Sequence, residues 1–270
     1  MLKIRILTAA ALTLALLIGL FVLPATAGAS LFAAVFVVAA WEWSGLGSIR
    51  GRAARLAYTA ALSGLLIAAW RWSADPEHLS TLLTSACAWW IAAALWVALA
   101  PGRHRPMTTL VCGVPVLIPA FIALMRMLVA VGGLARGSEM VLWMLLLVIA
   151  ADVGAYFVGR RFGRRKLAPR VSPGKTWAGA IGGLAGVAMV ASLGALRFGW
   201  PAAHLLAFGC AVGVFSVVGD LTESMFKRAA GLKDSGSLLP GHGGILDRID
   251  SMTAAAPLYA LGLIEAGALR

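Results

Sequence analysis

The chain is built from long apolar runs separated by short polar turns. Nine runs can be marked, at 6–23, 29–46, 54–70, 80–100, 108–131, 139–159, 177–196, 202–219 and 251–268. Each is close to the roughly 20 residues an α-helix needs to cross the hydrocarbon core of a bilayer. The pattern predicts an all-α, polytopic transmembrane protein of about nine spans. The stretch 220–250, between the eighth and ninth runs, is too polar to span. No sequence period of about 20–50 residues suggests a solenoid. The first run follows Lys3 and Arg5 and precedes Ala25-Thr26-Ala27, the layout of a signal peptide. Ile6 to Leu23 is long for such a segment, so an uncleaved first helix is expected. The chain then divides into N-terminal helices, 1–140, and a region that carries the large polar loops, 141–270.

Composition sharpens this picture. The 270 residues are 61% hydrophobic and 13% charged, with a mean hydropathy of +0.90. Soluble domains carry roughly 25% charged residues, so a soluble enzyme and a disordered chain are both excluded. The net charge is +12. No basic helix or aromatic platform stands in a polar domain, so no nucleic-acid partner is expected. The basic loops instead read as cytoplasmic ends held against anionic headgroups. With the N-terminus in the cytoplasm, that side collects Lys3, Arg5, Arg50, Arg52, Arg55, Arg103 and Arg105. It also collects the basic run from Arg160 to Lys175, then Lys227, Arg228, Lys233 and Arg248. The other face keeps Arg71, Arg126, Arg136, Arg197 and Arg270. Both large polar loops therefore fall on the cytoplasmic side. Cys87, Cys112 and Cys210 lie in apolar runs without metal spacing and read as small hydrophobes. Trp41, Trp43, Trp70, Trp72, Trp89 and Trp90 fit interfacial belts, with Glu42 as an anchor among them.

The acidic residues concentrate. Of 11, Asp220, Glu223, Asp234, Asp247 and Asp250 share one stretch, GDLTESMFKRAAGLKDSGSLLPGHGGILDRID. Its first part continues the eighth helix. At about 100° per residue, Asp220, Glu223, Ser224, Lys227 and Arg228 form one polar stripe. A glycine-rich loop follows, and Asp247, Arg248 and Asp250 open the ninth run. Carboxylates interleaved with Lys and Arg suit Mg²⁺ and phosphates. Glycines allow close backbone approach to a ligand. No Ser–His–Asp or Cys–His arrangement is visible. Asp152 and Tyr156 share a helix face within a span, and an intramembrane carboxylate is a functional candidate. Ser172-Pro-Gly-Lys175-Thr176 precedes a helix start that can cradle phosphate. The pairs Gly179, Gly183 and Gly182, Gly186 read as helix packing.

The segment Ser224–Asp250 closely resembles the signature of phosphatidate cytidylyltransferases, S-x-x-K-R-x4-K-D-x4-[LIF]-[PG]-x-H-G-G-x-x-D-R-x-D. It is met by Ser224, Lys227, Arg228, Lys233, Asp234, Leu239, Pro240, His242, Gly243, Gly244, Asp247, Arg248 and Asp250. Asp152, Ala155, Tyr156 and Gly159 resemble the family's D-x-x-A-Y-x-x-G helix. The loop from Leu167 to Thr176 is similar to its K-L-x-P-x-S-P-K-K-T segment, with Gly174 in place of a lysine. Ala178 stands where a glutamate is common.

The resemblance implies a catalytic region at 141–270 that joins CTP and phosphatidate to give CDP-diacylglycerol and pyrophosphate. It implies Mg²⁺, with room for a second cation, and a homodimer. Short loops and the N-terminal span suggest a bacterial inner membrane, and the basic loops put the site on the cytoplasmic side. Asp220 and Asp247 are the expected metal ligands, with Asp250 and Asp234 as third candidates. Lys227, Arg228 and Lys233 are expected on the phosphates. Arg248 either joins them or braces Asp220, and His242 either donates to a phosphate or fixes its turn. Ser172, Lys175, Thr176, Ser224, Gly243, Gly244, Asp152 and Tyr156 are expected around the substrates. A CTP-dependent polyprenol kinase and a cytidylyltransferase for isoprenoid ether lipids share the chemistry and remain alternatives. A transporter is the rival from another class.

Overall fold

The computed structural model describes residues 2–102, 104–129, 134–199 and 201–269. Arg103 and Arg270, both used in assigning orientation, lie outside the described residues. Among these residues the chain forms nine helices: α1 (Leu2–Phe21), α2 (Ala25–Leu46), α3 (Arg52–Trp72), α4 (Pro76–Leu99), α5 (Pro106–Leu128), α6 (Leu134–Phe162), α7 (Trp177–Phe198), α8 (Ala202–Ala229) and α9 (Leu246–Glu265). Each covers one of the nine apolar runs. Seven are long and apolar enough to cross a membrane. Those seven exclude α1, whose apolar part is the shorter Ile6–Phe21, and α9. The expected all-α, polytopic architecture stands, with seven helices that meet the length and composition of a span among the described residues.

Position explains why α9 is less apolar. It packs against α8, α5 and α4 and buries Ile249, Met252, Ala254, Ala255, Tyr259 and Leu263, along with Ser251 and Thr253. A helix surrounded by other helices need not present a greasy surface to lipid. Pro115 and Pro119 lie within α5 and Pro257 within α9.

The most extensive helix pairing is α6 with α7. The glycines there remove side chains where the backbones cross. A Cβ on Gly183 would stand 2.7 Å from the Ala151 carbonyl oxygen, and one on Gly186 2.6 Å from that of Ala150. The small-residue reading of these positions holds.

Between α6 and α7 a hairpin replaces the expected loop. Strands β1 (Lys166–Ala168) and β2 (Ser172–Thr176) pair antiparallel, Lys166 opposite Thr176 and Ala168 opposite Ser172. The hairpin places Lys175 beside α8.

Two of the supposed interfacial tryptophans are core residues. Trp43 and Trp90 are fully buried, and Trp43 Nε1 donates to the Thr109 carbonyl at 2.7 Å. Trp43 also stands edge-on to Phe226 of α8. The cysteines are all free.

Candidate functional site

Asp220 lies on α8, nine residues before the helix ends at Ala229. Its Oδ2 pairs with Lys175 Nζ of β2 at 2.7 Å, and its Oδ1 accepts from Ser224 Oγ at 3.1 Å. Asp250 of α9 lies in the field of Asp220. Asp152 of α6 lies in the field of Lys175, Asp220 and Arg248. Four separate elements thus bring charged side chains to one place. Asp250 precedes the apolar run 251–268. Burial, followed by the negative charge of Asp220, pushes its carboxyl up to about 7.

A cavity of about 430 Å³ opens here, lined by Asp152, Tyr156, Arg160, Gly174, Lys175 and Thr176 among others. Tyr156 accepts from Arg160 Nη1 at 3.0 Å. A second cavity of about 630 Å³, mostly apolar, adjoins it. The two share Leu167, Ala180 and Val217 as a common wall.

A second cluster surrounds the start of α9. Lys227 Nζ lies 2.7 Å from Asp247 Oδ1 and 3.0 Å from Glu223 Oε1. Lys227 is only 7% exposed and Glu223 4%. The other oxygen of Asp247 accepts the backbone N–H groups of Ser235 (2.9 Å) and Gly244 (2.8 Å). Burial alone would raise the Asp247 carboxyl. Lys227 and those two amides outweigh it and hold the group below the ordinary carboxylate range. Gly243 has φ +82°, in the left-handed region where glycine is favoured, and a Cβ there would crowd Asp247 Oδ2.

These contacts show where the expected site residues stand. Lys227 is buried between two carboxylates, donating to Asp247 Oδ1 and ion-paired with Glu223. Both oxygens of Asp247 are engaged by protein donors. The two clusters meet through Asp250, whose field reaches Lys227 and Glu223 as well as Asp220. Thr176 is buried and caps α7, its Oγ1 accepting from Gly179 N at 3.1 Å. Its hydroxyl therefore serves the helix, and the start of α7 is already capped from within the chain. Ser172 is half-buried in β2. Gly244 serves Asp247 through its amide.

The remaining cations are more open. Arg228 is exposed, and donates through Nε to the Val171 carbonyl at 3.4 Å and through Nη1 to that of Leu232 at 3.2 Å. Lys233 and Asp234 are exposed on the loop. Arg248 donates to the His242 carbonyl at 3.0 Å. His242 N–H donates to the Leu239 carbonyl at 2.9 Å, closing the turn, while its Nδ1 is buried and without a hydrogen-bond partner.

Among the described residues no group of three or more His, Cys, Asp or Glu side chains is placed to hold a metal by itself. The four aspartates expected as ligands therefore do not form one protein cage. Asp220 and Asp250 nevertheless suit Mg²⁺, which commonly binds one or two carboxylates and completes its octahedron with water and substrate phosphates. Two carboxylates whose negative charges act on one another are the donor set such an ion relieves.

One residue of this region was misplaced by sequence reasoning. Glu42 of α2 is 4% exposed, not interfacial. Its Oε1 accepts from Ile245 N at 3.1 Å, and its Oε2 from Leu246 N at 2.8 Å and Ser235 Oγ at 3.2 Å. The available signal was a charge inside an apolar run, which the bilayer makes costly unless it is satisfied.

A sequence profile described as the cytidylyltransferase family matches residues 3–264. The chain is 44% identical to a phosphatidate cytidylyltransferase of Pseudomonas aeruginosa, over 99% of this chain and 98% of that protein. It is 38% identical to a phosphatidate cytidylyltransferase of Haemophilus influenzae, over 96% and 98%. A further relative of that name, from Brucella suis, is 49% identical over 49% of this chain and 52% of its own length.

Proposed function

The chain belongs to the cytidylyltransferase family, and from that premise we propose that it transfers the cytidylyl group of CTP to phosphatidate, releasing pyrophosphate and forming CDP-diacylglycerol. It is a membrane-embedded enzyme of phospholipid biosynthesis. The observation that carries the assignment of the site is the pair of adjoining cavities. One is ringed by Asp152, Lys175 and Arg160, with Asp220 and Asp250 beside it. The other is apolar and shares its wall. A substrate with a phosphate head and two acyl chains has these two halves.

The reaction brings two polyanions together, so neutralisation and positioning carry most of the catalysis. The phosphate monoester oxygen of phosphatidate attacks the α-phosphorus of CTP, and the bond to the β-phosphate oxygen breaks as pyrophosphate leaves. Lys175, Arg228, Lys233 and Arg248 supply positive charge from three sides, β2, α8 with its loop, and α9. Asp220 and Asp250 would hold Mg²⁺, which supplies Lewis-acid neutralisation of phosphate oxygens. Ser224 and Lys175 orient the Asp220 carboxylate. Asp247 and Lys227 neutralise each other and keep the start of α9 in place. His242 shapes the turn and leaves Nδ1 as a buried polar atom toward the loop. The basic residues beside the hairpin and the loop support a site on the cytoplasmic face, where CTP is found, and the bacterial relatives support an inner-membrane location.

Purified protein in detergent, given CTP, phosphatidate and Mg²⁺, is expected to form CDP-diacylglycerol and to give no product with a polyprenol. Asp220→Asn and Asp250→Asn are each expected to lower turnover by about a hundredfold or more while the protein stays folded. Near-normal activity in both variants would remove the metal assignment. Product from the polyprenol instead of phosphatidate would overturn the substrate.

A further inference from the structure

We propose that Glu42 is a positioning residue for cytidylyl transfer: a carboxylate from α2 that caps α9 and grips the 235–246 turn, setting where Arg248 and Asp250 stand. The proposal rests on the reading of Asp220 and Asp250 as part of the nucleotide site.

The start of α9 lacks a cap of its own. Its N-cap residue is Ile245, whose side chain accepts no hydrogen bond. The first amides of a helix have no partner within it and need an acceptor from elsewhere. Glu42 supplies one from about 200 residues away in sequence, taking Ile245 N and Leu246 N on separate oxygens. A carboxylate there is also favoured by the helix dipole. The same carboxylate holds Ser235 Oγ, so both ends of the loop are tied to one point on α2. Asp247 grips the loop from the other side through Ser235 N and Gly244 N.

Two loop glycines fit this role. A Cβ on Gly236 would collide with Glu42 Oε1, and a Cβ on Gly244 would collide with Oε2 and with Ser235 Oγ. Neither glycine has a positive φ, so it is space beside the Glu42 carboxylate, not backbone conformation, that favours glycine at these positions. Asp250 lies one turn along α9 from Leu246, and its charge and that of Asp220 act on one another. Any slide or rotation at the start of α9 changes that interaction.

The test uses the full chain purified in detergent. Glu42→Gln keeps the shape but replaces one acceptor oxygen with a donor NH₂ facing protein N–H or O–H groups. It is expected to raise the KM for CTP and the Mg²⁺ concentration for half-maximal rate, lowering kcat/KM by about tenfold or more per folded molecule. Glu42→Asp is expected to recover part of that loss. Gly236→Ala, which keeps the carboxylate but displaces it, is expected to reproduce the defect. In a Glu42→Ala background the same alanine is expected to add little. If Glu42→Gln does not accumulate, Gly236→Ala carries the kinetic comparison. Hydrogen–deuterium exchange, independent of turnover, is expected to quicken across 235–250 and stay unchanged in α5.

Unchanged KM values and unchanged exchange would overturn the proposal. So would a loss of activity matched by an equal loss of folded protein. If the wild-type chain makes no CDP-diacylglycerol, the functional reading fails, and the exchange result alone decides whether Glu42 holds the turn.

Discussion

Lys227 and Lys233 stand six positions apart in the same signature, and their surroundings give them different work. Lys227 is buried between Glu223 and Asp247, whereas Lys233 is exposed on the loop. Replacing Lys227 by Met leaves two buried carboxylates without a counter-charge, a change that costs about 3–5 kcal/mol when a buried ion pair loses one partner. Thermal unfolding in detergent is expected to show a large drop in stability for Lys227→Met. Lys233→Ala is expected to leave the midpoint unchanged and raise the KM for CTP. An equal kinetic effect from both, with no loss of stability in Lys227→Met, would contradict the buried triad. The sequence marked both lysines as phosphate ligands because a pattern of residue types carries no burial. Glu42 shows the converse. Between two tryptophans it has a local pattern suited to an interface, and its partners lie 193 to 204 positions away.

At the scale of elements, the apolar periodicity located all nine helices because each must exclude water over nearly its whole length. It did not show the hairpin. β1 and β2 are three and five residues long and joined through Pro169, Arg170 and Val171, too short for alternation to register. The hairpin ends in Thr176, which caps α7. Thr176→Ala is expected to cost about 1 kcal/mol through loss of that cap. It is also expected to weaken turnover by loosening the adjacent Lys175. Restoration by Ser, but not by Val, in both unfolding and activity measurements would identify the hydroxyl as the cause. The α6–α7 crossing is more demanding. Gly183→Leu drives a side chain into the Ala151 backbone, and overpacking of this kind typically costs about 1–3 kcal/mol. The expected result is a lower unfolding midpoint together with lost activity, since Asp152 and Lys175 are held on either side of that crossing.

Across the whole molecule, charge has two populations that respond differently to salt. The net charge of +12 resides largely in exposed residues such as Arg228, Lys233 and Arg248, which attract CTP through solvent. The pair of Lys227 with Asp247 is buried and largely beyond the reach of mobile ions. Raising ionic strength from about 0.1 M to 1 M shortens the screening length from about 10 Å to 3 Å. Attraction of a tetra-anionic nucleotide by scattered surface cations then fades, while a contact at 2.7 Å inside the protein persists. The KM for CTP is therefore expected to rise several-fold with salt. The unfolding midpoint and the kcat at saturating CTP are expected to change little. Steady-state kinetics and thermal unfolding over one salt series separate the two populations. A midpoint that falls in step with the rise in KM would mean that the fold depends on the same exposed charges as the substrate. That result would contradict the division between an interior held by Glu42, Lys227 and Asp247 and a surface left free for the nucleotide.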